Sequence, residues 1–389
     1  MDHDILRNVR VLDFTTTIAG PHCTRLLADL GADVVKIEGP DGDLMRTRPP
    51  LRDGASSYFG QLNAGKRSVV LDLKQPAAVA IVKRLVRDAD IVVENYRPGV
   101  MTRLGLDYES LRPIRADLVY CAMSGYGQTG PSSGLPAYAP VIHAASGYDL
   151  AHLSYQDGRT RPDNNGVFIA DVLTGTYAFG AISAALYHRR VTGRGQMVDV
   201  SMLESMLTMT LSEMQRAQFE TPPPGRPMFG PVQTRDGYVM LAVASERTFQ
   251  DLARAAGRPE WIDDPRFKLY ADRRLNWHLF MDELEQWSRR IGTDECQAAF
   301  ERFGVPSSRY RTVEEAMADA QLAHRDAFTE VRDTAGPFKV LNPPFRFSES
   351  KAAARPFAAR LGEHSDEVLT DAGYSPAEIT AFREAGAVA

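Results

Sequence analysis

The chain has 389 residues, 44% hydrophobic and 24% charged, an ordinary globular composition with room for two or three domains. Its 45 Lys and Arg against 50 Asp and Glu leave a formal charge of −5, which excludes the basic field that generic nucleic-acid binding needs. Three cysteines, Cys23, Cys121 and Cys296, with no C-x-x-C pair argue against a disulfide framework or a cysteine zinc site, and fit a reducing cytosol.

The first residues, MDHDILRNVRVLDF, carry charges where a signal peptide needs an apolar stretch. VRVLDF then reads as a buried strand and TTTIAGP as a turn, with Pro21 suited to the first helical position. HCTRLLADLG reads as a helix stopped by Gly31, and ADVVKIE as a second strand. The pattern recurs as strand KRSVVLDL, helix PAAVAIVKRLVRDA, strand DIVVENY, helical turn YESLRPI and strand ADLVYCAMSG. Alternating units with near-continuous apolar strands predict an α/β fold, an open and mostly parallel sheet covered on both faces. Ligands of such sheets bind beyond the carboxyl ends of the strands, so TTTIAGP, ENYRPG and SGYGQTGP are expected on one rim.

GVFIA reads as a further strand, followed by a long helix from about Asp171 to Arg190 and the segment MVDVSM. The apolar part of that helix, Tyr177 to Tyr187, falls short of the ~20 residues that span a bilayer, so no membrane partner is expected and the location is expected to be cytoplasmic. Proline and glycine cluster in TPPPGRPMFGP (221–231), which predicts a linker. Beyond it come the strand GYVMLAVA, a polar helical stretch to about 330, the extended GPFKVLNPPFRF and a polar helical tail. The expected domains are a large α/β domain over 1–222, a smaller α+β domain over 223–335, and a C-terminal segment, 336–389, returning to the large one.

Among the motifs, Gly125, Gly127 and Gly130 match G-x-G-x-x-G, but they run into Pro131 and Pro136, which cannot open the helix a dinucleotide fingerprint requires; no nicotinamide is expected. The 8 histidines show no H-E-x-x-H or H-x-H spacing, so no metal is expected. Lys66, Arg67, Lys74, Arg97 and Arg103 accumulate around the first-domain loops. Singly each reads as a solvated charge; jointly they could neutralise a phosphorylated ligand at the rim. Asp171, between GVFIA and the helix, reads most simply as a helix N-cap. The same geometry would hold its carboxylate ionised by the helix dipole and let it attack an activated carbonyl.

RVLDFTTTIAGPHCTRLLADLGADVVKIEGPDGD, NAGKRSVVLDLK, ENYRPGVMTRLGLDYESL, GYGQTGP, ADVLTGTYAFGAISAAL, TGRGQMVDVSML and GEHSDEVL, in this order, resemble the family III CoA-transferases, which include formyl-CoA transferase, carnitine CoA-transferase and α-methylacyl-CoA racemase. The resemblance implies Rossmann-like units in a large domain, a smaller domain, and a homodimer of interlocked rings. It implies acyl-CoA and a carboxylic acid as substrates, with Asp171 attacking the acyl-CoA to give an aspartyl anhydride. It implies coenzyme A contacts at Thr17, Ala19, Leu71, Lys74, Asn95, Tyr96 and Arg103.

Two departures narrow the reading. Ile18 stands where the formyl-CoA enzymes carry glutamine, and PPPGRPMFGP replaces their glycine-rich loop, so oxalate is not the expected acid. Tyr138-Ala139 replaces the His-Asp pair of the racemases, removing the base that proton exchange α to a thioester needs. Tyr138 and Ile18 are expected in the acyl pocket. Arg46 or Arg48 is placed to pair with a distal carboxylate of a dicarboxylic acyl group. The activity expected is an acyl-CoA:carboxylate CoA-transferase, with an acyl-CoA isomerase or racemase, or a non-catalytic acyl-CoA-binding protein, as the alternatives.

Overall fold

The computed structural model describes residues 4–156, 158–220 and 228–389. It divides into two compact units, one of Met1–Gln215 with Leu322–Ala389, the other of Arg216–Gln321. Residues 221–227 of the expected linker lie outside the described residues, and Phe229–Gln233, at its end, is already a strand.

The first unit runs β1 (Arg10–Asp13), α1 (Ala19–Asp29), β2 (Asp33–Glu38), the short pair β3 (Leu51–Arg52) and β4 (Ala55–Ser56), α2 (Ser57–Asn63), β5 (Arg67–Val70), α3 (Pro76–Val86), β6 (Ile91–Glu94), α4 (Val100–Leu104), α5 (Tyr108–Leu111), β7 (Val119–Ser124), α6 (Ala139–Ala145), α7 (Tyr148–Leu153), α8 (Ile169–Thr192) and β8 (Gln196–Ser201). Six strands pair in the order β5-β2-β1-β6-β7-β8, every neighbour parallel. Strand order reverses between β1 and β6, and this switch point opens a crevice at the carboxyl edge of the sheet. The central strands are buried on both faces: Leu12, Val35, Val69 and Val92 pack toward α3, while Val11, Val34, Val93 and Val119 pack toward α1 and α8.

α8 is the longest helix, and it lies against α1. Gly175, Ala178, Ile182 and Ala185 are buried, because small side chains let two backbones approach closely. Its other face leaves Val172, Tyr177, Tyr187 and Val191 exposed. The whole helix, at 24 residues, is long and apolar enough to cross a membrane by length and composition, contrary to the reading from Tyr177–Tyr187 alone, although a third of its most apolar window is buried in the fold.

Two local expectations are corrected. GVFIA is not a strand: the short apolar run has no strand partner, and its last two residues already belong to α8. α1 begins at Ala19, so Pro21 is its third residue, still within the turn whose N–H groups need no intrahelical acceptor. The polar C-terminal tail is helical and packs on the first unit. Helices Ser365–Asp371 and Pro376–Glu384 bury Val368, Leu369 and Ile379 in the sheet core, and Val388 bridges to Leu71.

The second unit has an antiparallel three-stranded sheet of Phe229–Gln233, Tyr238–Ala242 and Ser307–Arg309. Its core is aromatic, with Phe249, Trp261, Phe267 and Trp277 all within 5.6 Å, ring centre to ring centre, of Phe280.

Candidate active site

Beneath the turn that follows β1 lies a buried polar network. Asp13, the last residue of β1, accepts from the Thr15 N–H (2.9 Å) and hydroxyl (2.5 Å), the Thr24 hydroxyl (2.7 Å) and Lys66 Nζ (3.0 Å). Lys66 Nζ also donates to the Pro21 carbonyl, Thr24 and Asn63, so it is a buried strut rather than the solvated rim charge expected. Lys36 Nζ donates to the Thr15 carbonyl (2.7 Å) and pairs with Asp43 (2.9 Å). Burial pushes the Asp13 carboxyl up, but Lys66, Lys36 and the two threonine hydroxyls outweigh it and hold Asp13 below its ordinary value. Burial drives Lys66 down to about 8, against the attraction of Asp13.

This network fixes an unusual turn. Thr17 adopts φ 64°, a left-handed conformation rare outside glycine and worth about 1–3 kcal/mol of strain. Its N–H donates to Asp43 Oδ1 (3.2 Å). Asn95, just past β6, clamps Thr16 from the other side, accepting from its N–H and donating to its carbonyl, both at 2.9 Å. The clamp joins the strand ends on either side of the switch point.

A cavity of about 330 Å³ opens there. Thr16, Thr17 and Ala19 line it from the first turn, Asn95, Tyr96 and Arg97 from the turn after β6, Ser124 and Gly125 from the end of β7, and Tyr138 and Asp171 from the helical side. Asp171 is the third residue of α8, not its cap; Phe168 holds the cap position and offers no side-chain acceptor. The Ala19 N–H at the start of α1 lies near the Asp171 carboxylate and favours its charged form. Burial nevertheless pushes it up to about 6, the Ala19 N–H opposing, so desolvation outweighs the dipole effect expected from its position. Glu94, buried at the end of β6, is pushed up to about 8 by burial; the Tyr96 N–H opposes this and Asp199 adds to it. The Ser124 hydroxyl is buried on the cavity wall with no hydrogen-bond partner among the described residues.

Of the residues expected from sequence, Thr17, Ala19, Asn95, Tyr96, Tyr138 and Asp171 share this cavity. The others do not line it. Ile18 packs into an apolar cluster with Met45, Phe59 and Leu62. Leu71 is fully buried in the sheet core, while Lys74 and Arg103 are exposed and are not among the cavity's lining residues. Arg48 is exposed on its loop. Arg46 is committed to the fold: it grips buried Glu38 with two bonds, at 2.7 and 2.6 Å, donates to the Ala359 carbonyl and stacks on Phe59. Neither arginine is brought to Asp171. Sequence reasoning passed over Ser124 as a wall residue, although it opens a motif already assigned to the rim; Arg97, expected only as one of the rim charges, lines the wall as well.

The family model of CoA-transferase family III matches residues 6–365. The succinate–glutarate CoA-transferase of Agrobacterium fabrum is 32% identical over 387 residues, covering 94% of this chain and 95% of the relative. A formyl-CoA:oxalate CoA-transferase of Escherichia coli is 30% identical, covering 98% and 99%. A crystal structure of a CaiB/BaiF family protein from Brucella suis superposes with a TM-score of 0.83 at 30% identity, covering 95% of this chain and all of that one. The chain belongs to CoA-transferase family III.

Proposed function

From that membership, we propose that the protein moves CoA from an acyl-CoA thioester to a free carboxylate, with Asp171 as the nucleophile. The observation that carries the assignment is a half-buried carboxylate facing a cavity at the switch point of the sheet. The Asp171 carboxylate adds to the thioester carbonyl, the C–S bond breaks, and an acyl-aspartyl anhydride and CoA thiolate result. The thiolate attacks the aspartyl carbonyl and releases the first acid, leaving an aspartyl thioester. The incoming carboxylate displaces the thiolate to form a second anhydride, and the thiolate then takes the new acyl group and frees Asp171. The covalent route divides one difficult exchange into easier steps.

The cavity is at the small end for a ligand site and suits the thioester end of the substrate rather than all of CoA. Exposed Lys74 and Arg103 suit its phosphates. Partnerless Ser124 is a donor for the acyl oxygen. The exposed apolar side chains of α8 support a homodimer as the working form.

The test is incubation with a labelled acyl-CoA and a panel of acids, with mass analysis of the Asp171 peptide. Label moving to a second acid, with an adduct at Asp171, is expected. Label that returns rearranged supports an isomerase, and label that never moves supports a binding protein; either result refutes the assignment.

A further inference from the structure

Phe168 caps α8 without a side-chain bond, so the first N–H groups of the helix need acceptors from elsewhere. One of them, the Ala170 N–H, is fully buried and donates to Nε2 of His143 at 3.1 Å. An N–H donor requires that Nε2 carry no proton, so the ring is the tautomer with hydrogen on Nδ1. His143 is itself 1% exposed and lies on α6, the short helix that begins immediately after the cavity residue Tyr138. Ala139 and Ile142 of α6 pack with Ala170 of α8 in one apolar cluster. The ring is further held against Tyr148, with centres 5.9 Å apart. A histidine in the body of one helix thus bonds the backbone of another, one residue before Asp171.

We infer that His143 is a positioning residue for Asp171: its ring Nε2 serves as the missing cap of α8 and fixes the turn from which the Asp171 carboxylate reaches the cavity. The inference rests on the reading of Asp171 as nucleophile. Without the acceptor, the Ala170 N–H would be buried and unpaired. The first turn of α8 would then unwind or shift until that group found water. Asp171, in the same turn, would leave the Ala19 N–H. CoA contacts on the strand-end turns do not involve this bond, so the loss should fall on turnover rather than on CoA binding.

The test compares His143→Gln, whose amide oxygen can still accept, with His143→Leu, which cannot. Three readings are taken: kcat and KM, CoA affinity, and hydrogen–deuterium exchange of the peptide spanning 167–172. Expected for His143→Leu is a kcat at least tenfold lower, unchanged CoA affinity and faster exchange. His143→Gln should recover most of kcat and slow exchange. Wild-type turnover in His143→Leu, or a His143→Gln as impaired as His143→Leu, overturns the inference. If His143→Leu fails to fold, His143→Gln against His143→Ala, read by the same exchange, decides the same question. Asp171→Asn is run in parallel. If that variant keeps its turnover, the nucleophile assignment fails, and the exchange result still reports independently on the cap.

Discussion

Gly175 sits one turn beyond Asp171, where α8 crosses the start of α1. A Cβ built there lies 2.4 Å from the Ala19 carbonyl oxygen and 3.0 Å from Cδ2 of His22. Ordinary contact begins near 3.4 Å, so Gly175→Ala forces α1 and α8 apart by about 1 Å. The obstructing atom is backbone and cannot rotate aside. Alanine gains about 1 kcal/mol of helix propensity over glycine, but overpacking of this kind costs about 1–3 kcal/mol. The net effect is at most a modest loss, about 0–2 kcal/mol, or up to a few degrees in Tm.

The larger consequence is functional. Ala19 supplies the N–H that favours the charged Asp171 carboxylate, and a displacement of about 1 Å at a reacting group can cost on the order of a hundredfold in rate. The assay is steady-state CoA transfer, with CoA affinity and a thermal melt on the same sample. Gly180→Ala is the control, because Gly180 lies on the same helix with nothing within 4 Å of its built Cβ; it should be neutral or stabilising. Gly175→Ala with kcat within twofold of wild type would show that the close approach of α1 and α8 does not control Asp171.

Lys66→Met leaves Asp13 buried without its main cation, and should lower stability in a denaturant melt by about 3–5 kcal/mol; a second change, Asp13→Asn, should recover part of the loss. Arg46→Ala should likewise destabilise, by about 2–4 kcal/mol, through unpaired Glu38. It should leave the relative rates with monocarboxylates and dicarboxylates unchanged, and a changed preference would restore Arg46 to the acyl pocket. Arg103→Ala should weaken CoA binding about tenfold to a hundredfold in calorimetry, with Tm unaltered, if the guanidinium holds a phosphate.

The sheet was readable from sequence because buried parallel strands announce themselves as apolar runs with helices between them: ADVVKIE became β2 but for its first residue, and β6 is the apolar centre of DIVVENY with Glu94. GVFIA misled because five apolar residues look the same whether they enter a strand or a helix. Rim geometry followed from strand ends, so TTTIAGP, ENYRPG and SGYGQTGP were expected together and do line one cavity, whereas the contacts at Asn95 and Tyr96 came from the family resemblance. Charge was the weak guide. Lys66 and Arg46 occur in polar loops as Lys74 and Arg103 do, yet the first two are consumed by Asp13 and Glu38, residues distant in sequence. Which carboxylate claims which cation is a tertiary fact. His143 escaped notice for a similar reason, since its partner is a backbone N–H 27 positions away.

Burial of Asp171 sets stability against reactivity in one measurable group. Burial disfavours the charged form and pushes its carboxyl up to about 6, from the ordinary aspartate value of ~4. Between these values the folded state binds more protons than the unfolded state, so stability falls as pH rises through the window from about 4 to about 6. That displacement corresponds to a ceiling of ~3 kcal/mol, and partial exposure to solvent reduces the expected effect to about 1–2 kcal/mol. Asp171→Asn cannot ionise, so it should be more stable than wild type at pH 8 and equal to it at pH 4. Acylation should show the opposite trend, rising with pH through about 6 as the nucleophile ionises, and should be lost in the Asn variant. The desolvation that costs stability also leaves the carboxylate less shielded by water and more basic, which favours attack on a thioester carbonyl. Melts of the two proteins at pH 4 and pH 8 decide the matter. If Asp171→Asn gains no stability at pH 8, the carboxylate is not held in a desolvated state and its reactivity requires another source.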